Sequence, residues 1–172
     1  FSAMKLPVLA ACCMFALPIA ARADTLDPAT QQALAANYQL ACTAALNPTD
    51  QALQAAFSIL APAFTSTDVT GGQVSRDDIV NNAGAQLKNL HTTTCNQQIT
   101  SAQTSPDGTV LATEVLHLSG TVAMSDASHT FALTTTSQDT WSNATGRWLI
   151  VHRLDKHVRF EMDGSVVKDA GS

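Results

Sequence analysis

The chain has 172 residues, 45% hydrophobic and 13% charged, with a formal net charge of −5. That length suits one domain around one core. The acidic balance argues against nucleic acid or an anionic membrane surface as partner, because either needs a basic face.

The first segment reads as an export leader. Lys5 gives a positive start, Leu6 to Ala21 is almost wholly apolar, and Ala21-Arg22-Ala23 is a small-x-small cleavage signal. The expected signal peptide is 1–23, cut after Ala23, with Phe1-Ser2-Ala3 before Met4 as an expression scar or upstream extension. A membrane anchor is the competing reading, but Pro7 and Pro18 interrupt a run short of the ~20 residues a spanning helix needs. A lipoprotein is a third, since Leu9-Ala10-Ala11-Cys12 resembles a lipobox, although most of the apolar run follows Cys12. Cleavage leaves a single domain, 24–172, with seven basic residues against fourteen acidic ones. The expected location is secreted or periplasmic, with no stable membrane insertion after cleavage.

Of the four cysteines, Cys42 and Cys95 remain after cleavage. In an oxidising compartment one disulfide is the economical expectation, and separate buried thiols are the alternative. Closing a loop of roughly 50 residues stabilises a fold by about 3–4 kcal/mol in the chain-entropy picture.

Three helices are predicted next. Asp27 caps the first, with Pro28 in its opening turn and Leu34, Tyr38, Ala41 and Ala45 at helical spacing. Asn47-Pro48 stops it. Thr49 begins the second, with Leu53, Phe57 and Leu60 on one stripe and an end near Pro62. After a turn at Thr70-Gly71-Gly72, Ser75 and Asp78 resemble a capping box for the third, whose buried stripe is Ile79, Ala83, Leu87 and Leu90. From His91 the pattern turns to strands: β-prone segments at 92–95 and 99–100, then long strands over 110–124, 129–142 and 147–158. Ser105-Pro106-Asp107-Gly108 and Asp163-Gly164 mark turns. Helices followed by strands joined through short turns imply an α+β fold with an antiparallel sheet.

Two stretches resemble a known superfamily. Ala36-Asn37-Tyr38 through Leu46, the Asn-Pro-Thr-Asp break, and Leu53 to Phe64 resemble the opening of NTF2-like domains. Asp139-Thr140-Trp141, Gly146-Arg147-Trp148 and Ile150-Val151-His152-Arg153 resemble the last hairpin of the SnoaL-like and DUF4440-type branches. The resemblance covers about residues 28–158. It implies a cone-shaped barrel, three N-terminal helices packed in a curved antiparallel sheet, with a pocket at the open end. Such domains include ketosteroid isomerase, polyketide cyclases, dehydratases and non-catalytic binding modules. The isomerase's Tyr and two Asp have no counterparts at matching positions, because the single Tyr of this chain is Tyr38, on the first helix.

Strand alternation singles out the chemistry-bearing candidates. Val110, Ala112, Leu116, Leu118, Val122 and Met124 share a face with Glu114. A carboxyl on an apolar face needs a partner or a raised pKa. Glu114 is therefore expected either as a pocket acid, base or ligand anchor, or as a structural ion pair with Arg147 or Arg153. His152 shares a face with Trp148 and Ile150 by simple alternation, which would line the cone interior; a satisfied core histidine is the alternative. Asp139 is expected to serve the closing hairpin, or to reach the pocket. Tyr38, Phe57, Phe64 and Trp148 are candidate pocket wall, with Glu114 and His152 as polar ligand contacts. His117 falls on the face opposite Glu114. The remaining histidines have no metal-ligand spacing, and no cofactor motif is present. The expected function is an exported module binding a small apolar ligand or a partner. The alternative is a small-molecule isomerase, cyclase or dehydratase using Glu114 or His152 as acid–base. A homodimer through β-rich faces is also expected.

Overall fold

The computed structural model describes residues 26–172, so the leader and its cleavage point lie outside the described residues. The elements run α1 (Pro28–Leu46), α2 (Asp50–Phe57), β1 (Leu60–Thr67), β2 (Gln73–Ser75), α3 (Arg76–Asn89), β3 (Leu90–Thr104), β4 (Val110–Ala123), β5 (Ser128–Ser142), β6 (Leu149–Met162) and β7 (Ser165–Gly171).

The helix starts follow local chemistry. The Asp27 side chain accepts a hydrogen bond from the Thr30 N–H at 3.0 Å, and Pro28 needs no N–H partner in the first turn. Thr49 Oγ1 accepts from the Ala52 N–H at 3.1 Å. The Ser75–Asp78 capping box forms in both directions.

The second helix is shorter than its apolar stripe suggests. It ends at Phe57, capped by Ser58, and Leu60 belongs to β1 instead. The strand begins in a stretch where Pro62 could neither continue a helix nor donate to a ladder, and the register between β1 and β6 shifts over Leu60 to Thr65. β1 runs parallel to β6, the one parallel pairing in an otherwise antiparallel sheet among the described residues.

The sheet is curved and unclosed, in the order β2-β1-β6-β5-β4-β3, with β7 also on β6. β6 divides its edge: Ile150 to Leu154 meet β1, while His157 to Met162 meet β7. The bend between β3 and β4 needs Gly120, where a Cβ would run into the His91 carbonyl. The predicted Asp163-Gly164 turn forms with both residues at positive φ, 49° and 77°, as a tight hairpin requires. Met124 falls beyond the end of β4 and is exposed, contrary to the alternation expected for it.

Helix α1 lies in the concave side of the sheet. Leu34, Tyr38, Cys42 and Ala45 form its buried stripe, close to the expected one. Leu34 and Tyr38 join Ile59, Phe64, Val110, Ala112, Trp141 and Ile150 in the main core cluster. Each large apolar side chain so buried contributes about 1.5–3 kcal/mol. The disulfide Cys42–Cys95 ties α1 to β3 with a Cα–Cα distance of 5.4 Å. Helix α3 is held less closely. Of its expected stripe, Ile79, Ala83 and Leu87 are only half-buried, Leu90 opens β3 instead, and Gly84 is the one fully buried residue of the helix. That incomplete seal leaves a cavity beneath the helix.

Candidate functional site

Between the helices and the sheet lies a cavity of about 150 Å³. The helical side supplies Ala41 and Ala44 from α1, Leu53 and Phe57 from α2, and Ile79 and Leu87 from α3. The strands supply Leu60 and Phe64, Leu116 and Ile150. Only three lining side chains carry polar atoms: Tyr38, Gln97 and Arg153.

Those three are the surface of a buried polar floor. The Tyr38 hydroxyl donates to Asp139 Oδ2 at 2.7 Å and accepts from Trp141 Nε1–H at 3.0 Å. The rings of Tyr38 and Trp141 meet edge to face, 5.1 Å between centroids. Arg153 grips Asp139 bidentately, Nε to Oδ1 at 2.8 Å and Nη2 to Oδ2 at 2.7 Å. The same Nη2 stands 3.4 Å from Glu114 Oε1, and Nη1 is engaged in none of these contacts. Gln97 donates from Nε2 to Glu114 Oε2 at 3.1 Å. Two atoms remain without hydrogen-bond partners although buried: Gln97 Oε1 and Glu114 Oε1. Further along, Ser137 donates to Asp155 at 2.9 Å.

Burial sets the electrostatics of this floor. It pushes the Glu114 carboxyl up to about 7; Asp139 and Asp155 push the same way, and the Arg153 charge and the Gln97 hydrogen bond only partly oppose them. Burial, then the charge of Asp139, moves the Tyr38 hydroxyl well above the usual phenol range. Burial alone would lower Arg153, but Asp139 and then Glu114 outweigh it, so the guanidinium stays charged.

Register explains which residues face inward. Asp139 pairs Arg153 across β5 and β6 and Ala112 across β4, while Glu114 pairs Ser137. Along β6, Ile150 pairs Trp141 but His152 pairs Thr140, so Val151 is the extra residue of a β-bulge. The bulge reverses the alternation: Ile150 and Arg153 point into the cone, and His152 points out.

The candidate residues therefore separate. Tyr38, Phe57 and Phe64 are on the cavity wall. Glu114 and Asp139 are fully buried in the floor, behind Gln97, Arg153 and Tyr38. His152, expected to line the interior, is instead on the outer face, its Nδ1 hydrogen-bonded to exposed Thr65 Oγ1 at 2.9 Å. Trp148, expected on the wall, packs half-buried against the core away from the cavity, and its carbonyl accepts from Asn37 Nδ2 at 3.3 Å. Of the two arginines considered as partners for Glu114, Arg153 takes the place, and Arg147 is exposed. Gln97 is a site residue that the sequence reading misses. Cys95 faces α1 through its disulfide, and two residues further along a strand the same face recurs, which is the signal that marks Gln97.

No protein-family model matches the chain, and neither does any curated protein. Solved structures do. An NTF2-like protein from Cytophaga hutchinsonii is 13% identical with a TM-score of 0.51, covering 76% of this chain and 98% of its own. A conserved protein from Planctomyces limnophilus is 10% identical with a TM-score of 0.59, covering 73% and 94%. A type 2 hexachlorocyclohexane dehydrochlorinase is 11% identical with a TM-score of 0.54, covering 83% and 88%. The chain has the NTF2-like fold.

Proposed function

We propose that the domain is an exported binding module that holds a small, largely apolar molecule in the cavity of its cone. The observation that carries this reading is the wall itself: aliphatic and aromatic side chains, with polar atoms only on Tyr38, Gln97 and Arg153. A cavity near 150 Å³ is the size that an aromatic ring such as benzene fills. Export is supported by the disulfide, which suits an oxidising compartment.

The test is a titration with toluene, phenol and acetophenone, followed by thermal unfolding and by methyl NMR. A ligand at about 100 times its Kd stabilises the fold by about 2.7 kcal/mol. The reading fails if none of the three raises the unfolding temperature or moves a cavity methyl.

Glu114 favours a second reading, an isomerase, cyclase or dehydratase in which its carboxyl, held near neutrality, moves a proton. A fold neighbour named as a dehydrochlorinase is in keeping with it. The first reading is preferred because Glu114 stands behind Gln97, and His152 lies on the other side of the sheet. A substrate whose turnover is abolished in Glu114→Gln while its binding persists would move the assignment to the second. A homodimer through the outer sheet face, rich in uncharged side chains such as Thr113, Val115 and Thr134, is also proposed; a monomer mass in sedimentation at micromolar concentration would exclude it.

A further inference from the structure

The floor of the cavity has an unusual feature at Gln97. This side chain is 8% exposed and lines the cavity. One end of its amide is committed, Nε2 donating to Glu114 Oε2 at 3.1 Å. The other end, Oε1, is buried with no partner. An amide left half-satisfied in an apolar wall costs about 1–3 kcal/mol unless an occupant completes it. Glu114 mirrors the situation: Oε2 accepts from Gln97, while Oε1 makes no hydrogen bond and has the Arg153 cation 3.4 Å away.

An amide is nearly symmetric in shape but opposite in hydrogen-bond character at its two ends. With Glu114 ionised, Gln97 must turn its NH₂ to the carboxylate, which leaves its oxygen as the end open to an occupant. With Glu114 protonated, the proton needs an acceptor. On Oε1 it would find none among the described residues, since that atom makes no hydrogen bond and the group beside it is the Arg153 cation, which only donates. On Oε2 it finds Gln97, provided the amide turns over and offers its oxygen. The NH₂ then faces the cavity.

We infer that Gln97 selects the polarity of the occupant under the control of Glu114: it presents an acceptor to the cavity while Glu114 is ionised, and a donor once Glu114 carries a proton. The inference rests on the ligand-binding reading above and names the ligand class for each state. The ionised site takes an apolar molecule bearing a hydroxyl or other donor. The protonated site takes one bearing a carbonyl or other acceptor.

The charged and titratable groups facing Glu114 are Asp139 from β5, Arg153 and Asp155 from β6, and, through Asp139, Tyr38 from α1; β3 contributes the neutral Gln97. Their balance, with burial, places the changeover at about pH 7.

The experiment compares phenol, a donor, with acetophenone, an acceptor, and with toluene, which is neither. Affinities are measured at about pH 5.5 and about pH 8.5, where phenol stays neutral. A ligand bound by only one protonation state loses up to about 30-fold in affinity 1.5 pH units or so beyond the changeover. Acetophenone is expected to weaken at least tenfold as pH rises, phenol to strengthen, and toluene to stay constant. In Glu114→Gln and in Gln97→Leu alike, the opposite pH trends of the two polar probes should vanish. A phenol-to-acetophenone ratio unaffected by pH, with all three probes bound, overturns this inference and leaves the ligand-binding reading standing. So does a trend shared by toluene, which would report a general change in the fold. Failure of every probe to bind at both pH values overturns the reading and the inference together.

Discussion

Replacing Glu114 with Gln should change how stability depends on pH, with a sign and size set by the floor. In the fold the carboxyl sits at about 7, against 4.5 for an ordinary glutamate. A tenfold change in proton affinity corresponds to about 1.36 kcal/mol, so the gap between the folded and unfolded chains amounts to about 3 kcal/mol. Because the folded value is raised, the stabilising contribution is complete below the unfolded value and is lost as pH climbs to about 7. The wild-type protein should therefore lose about 3 kcal/mol relative to Glu114→Gln between roughly pH 4 and pH 8.5. Urea unfolding of both proteins across that range measures it. The subtraction removes titrations common to both, such as the surface carboxyl of Asp163, which His129 and the Thr130 N–H hold below the usual range. A stability difference that stays flat from acid to alkali would refute the burial argument, whatever its absolute value.

Other consequences follow from the same contacts. Arg153→Met should cost about 3–5 kcal/mol at neutral pH, because Asp139 and Glu114 would be left buried without their cation; chemical denaturation checks it, and a loss below about 1 kcal/mol would contradict the ion-pair account. Tyr38→Phe should cost about 1–3 kcal/mol by stranding the Trp141 Nε1–H and one lone pair of Asp139, readable in unfolding and in the Trp141 fluorescence. Reducing Cys42–Cys95, or replacing both with Ser, should cost about 4 kcal/mol in the chain-entropy model; an unchanged midpoint in the presence of reductant would contradict it. His129, between Asp163 and Asp126, should titrate above an ordinary histidine and return toward it in Asp163→Asn, by NMR of its ring protons.

Much of this architecture is legible in the chain, and the exceptions have local causes. The Asp27-Pro28 cap, the Ser75–Asp78 box and the Asp163-Gly164 turn depend on neighbours a few residues apart, so their spacing alone reveals them. Strand alternation places Glu114 inward for the same reason. β1 is hidden because Leu60 extends the helical stripe of Leu53 and Phe57, and only a distant partner, β6, decides that it pairs as a strand. His152 is misplaced by one inserted residue: the bulge at Val151 exchanges its face with that of Arg153, and nothing local to Ile150-Val151-His152-Arg153 announces it. Trp148 precedes β6 and packs against the core without joining the cavity wall. Met124 lies one residue past the point where the alternation of β4 stops. Gln97 lies within reach of inference, because pairing Cys95 with Cys42 already turns that strand face toward α1.

The central claim is that the cavity under α3 takes a small apolar molecule. Methyl NMR of the folded domain titrated with phenol at about pH 8.5 tests it most directly, with the donor probe matched to the ionised state of the floor. The account predicts saturable shifts concentrated on methyls that line the cavity, among them Leu53, Leu60, Ile79, Leu87, Leu116 and Ile150. Shifts confined to outer-face residues such as Val115 and Leu154, or none at concentrations that saturate an apolar cavity of this size, would contradict it.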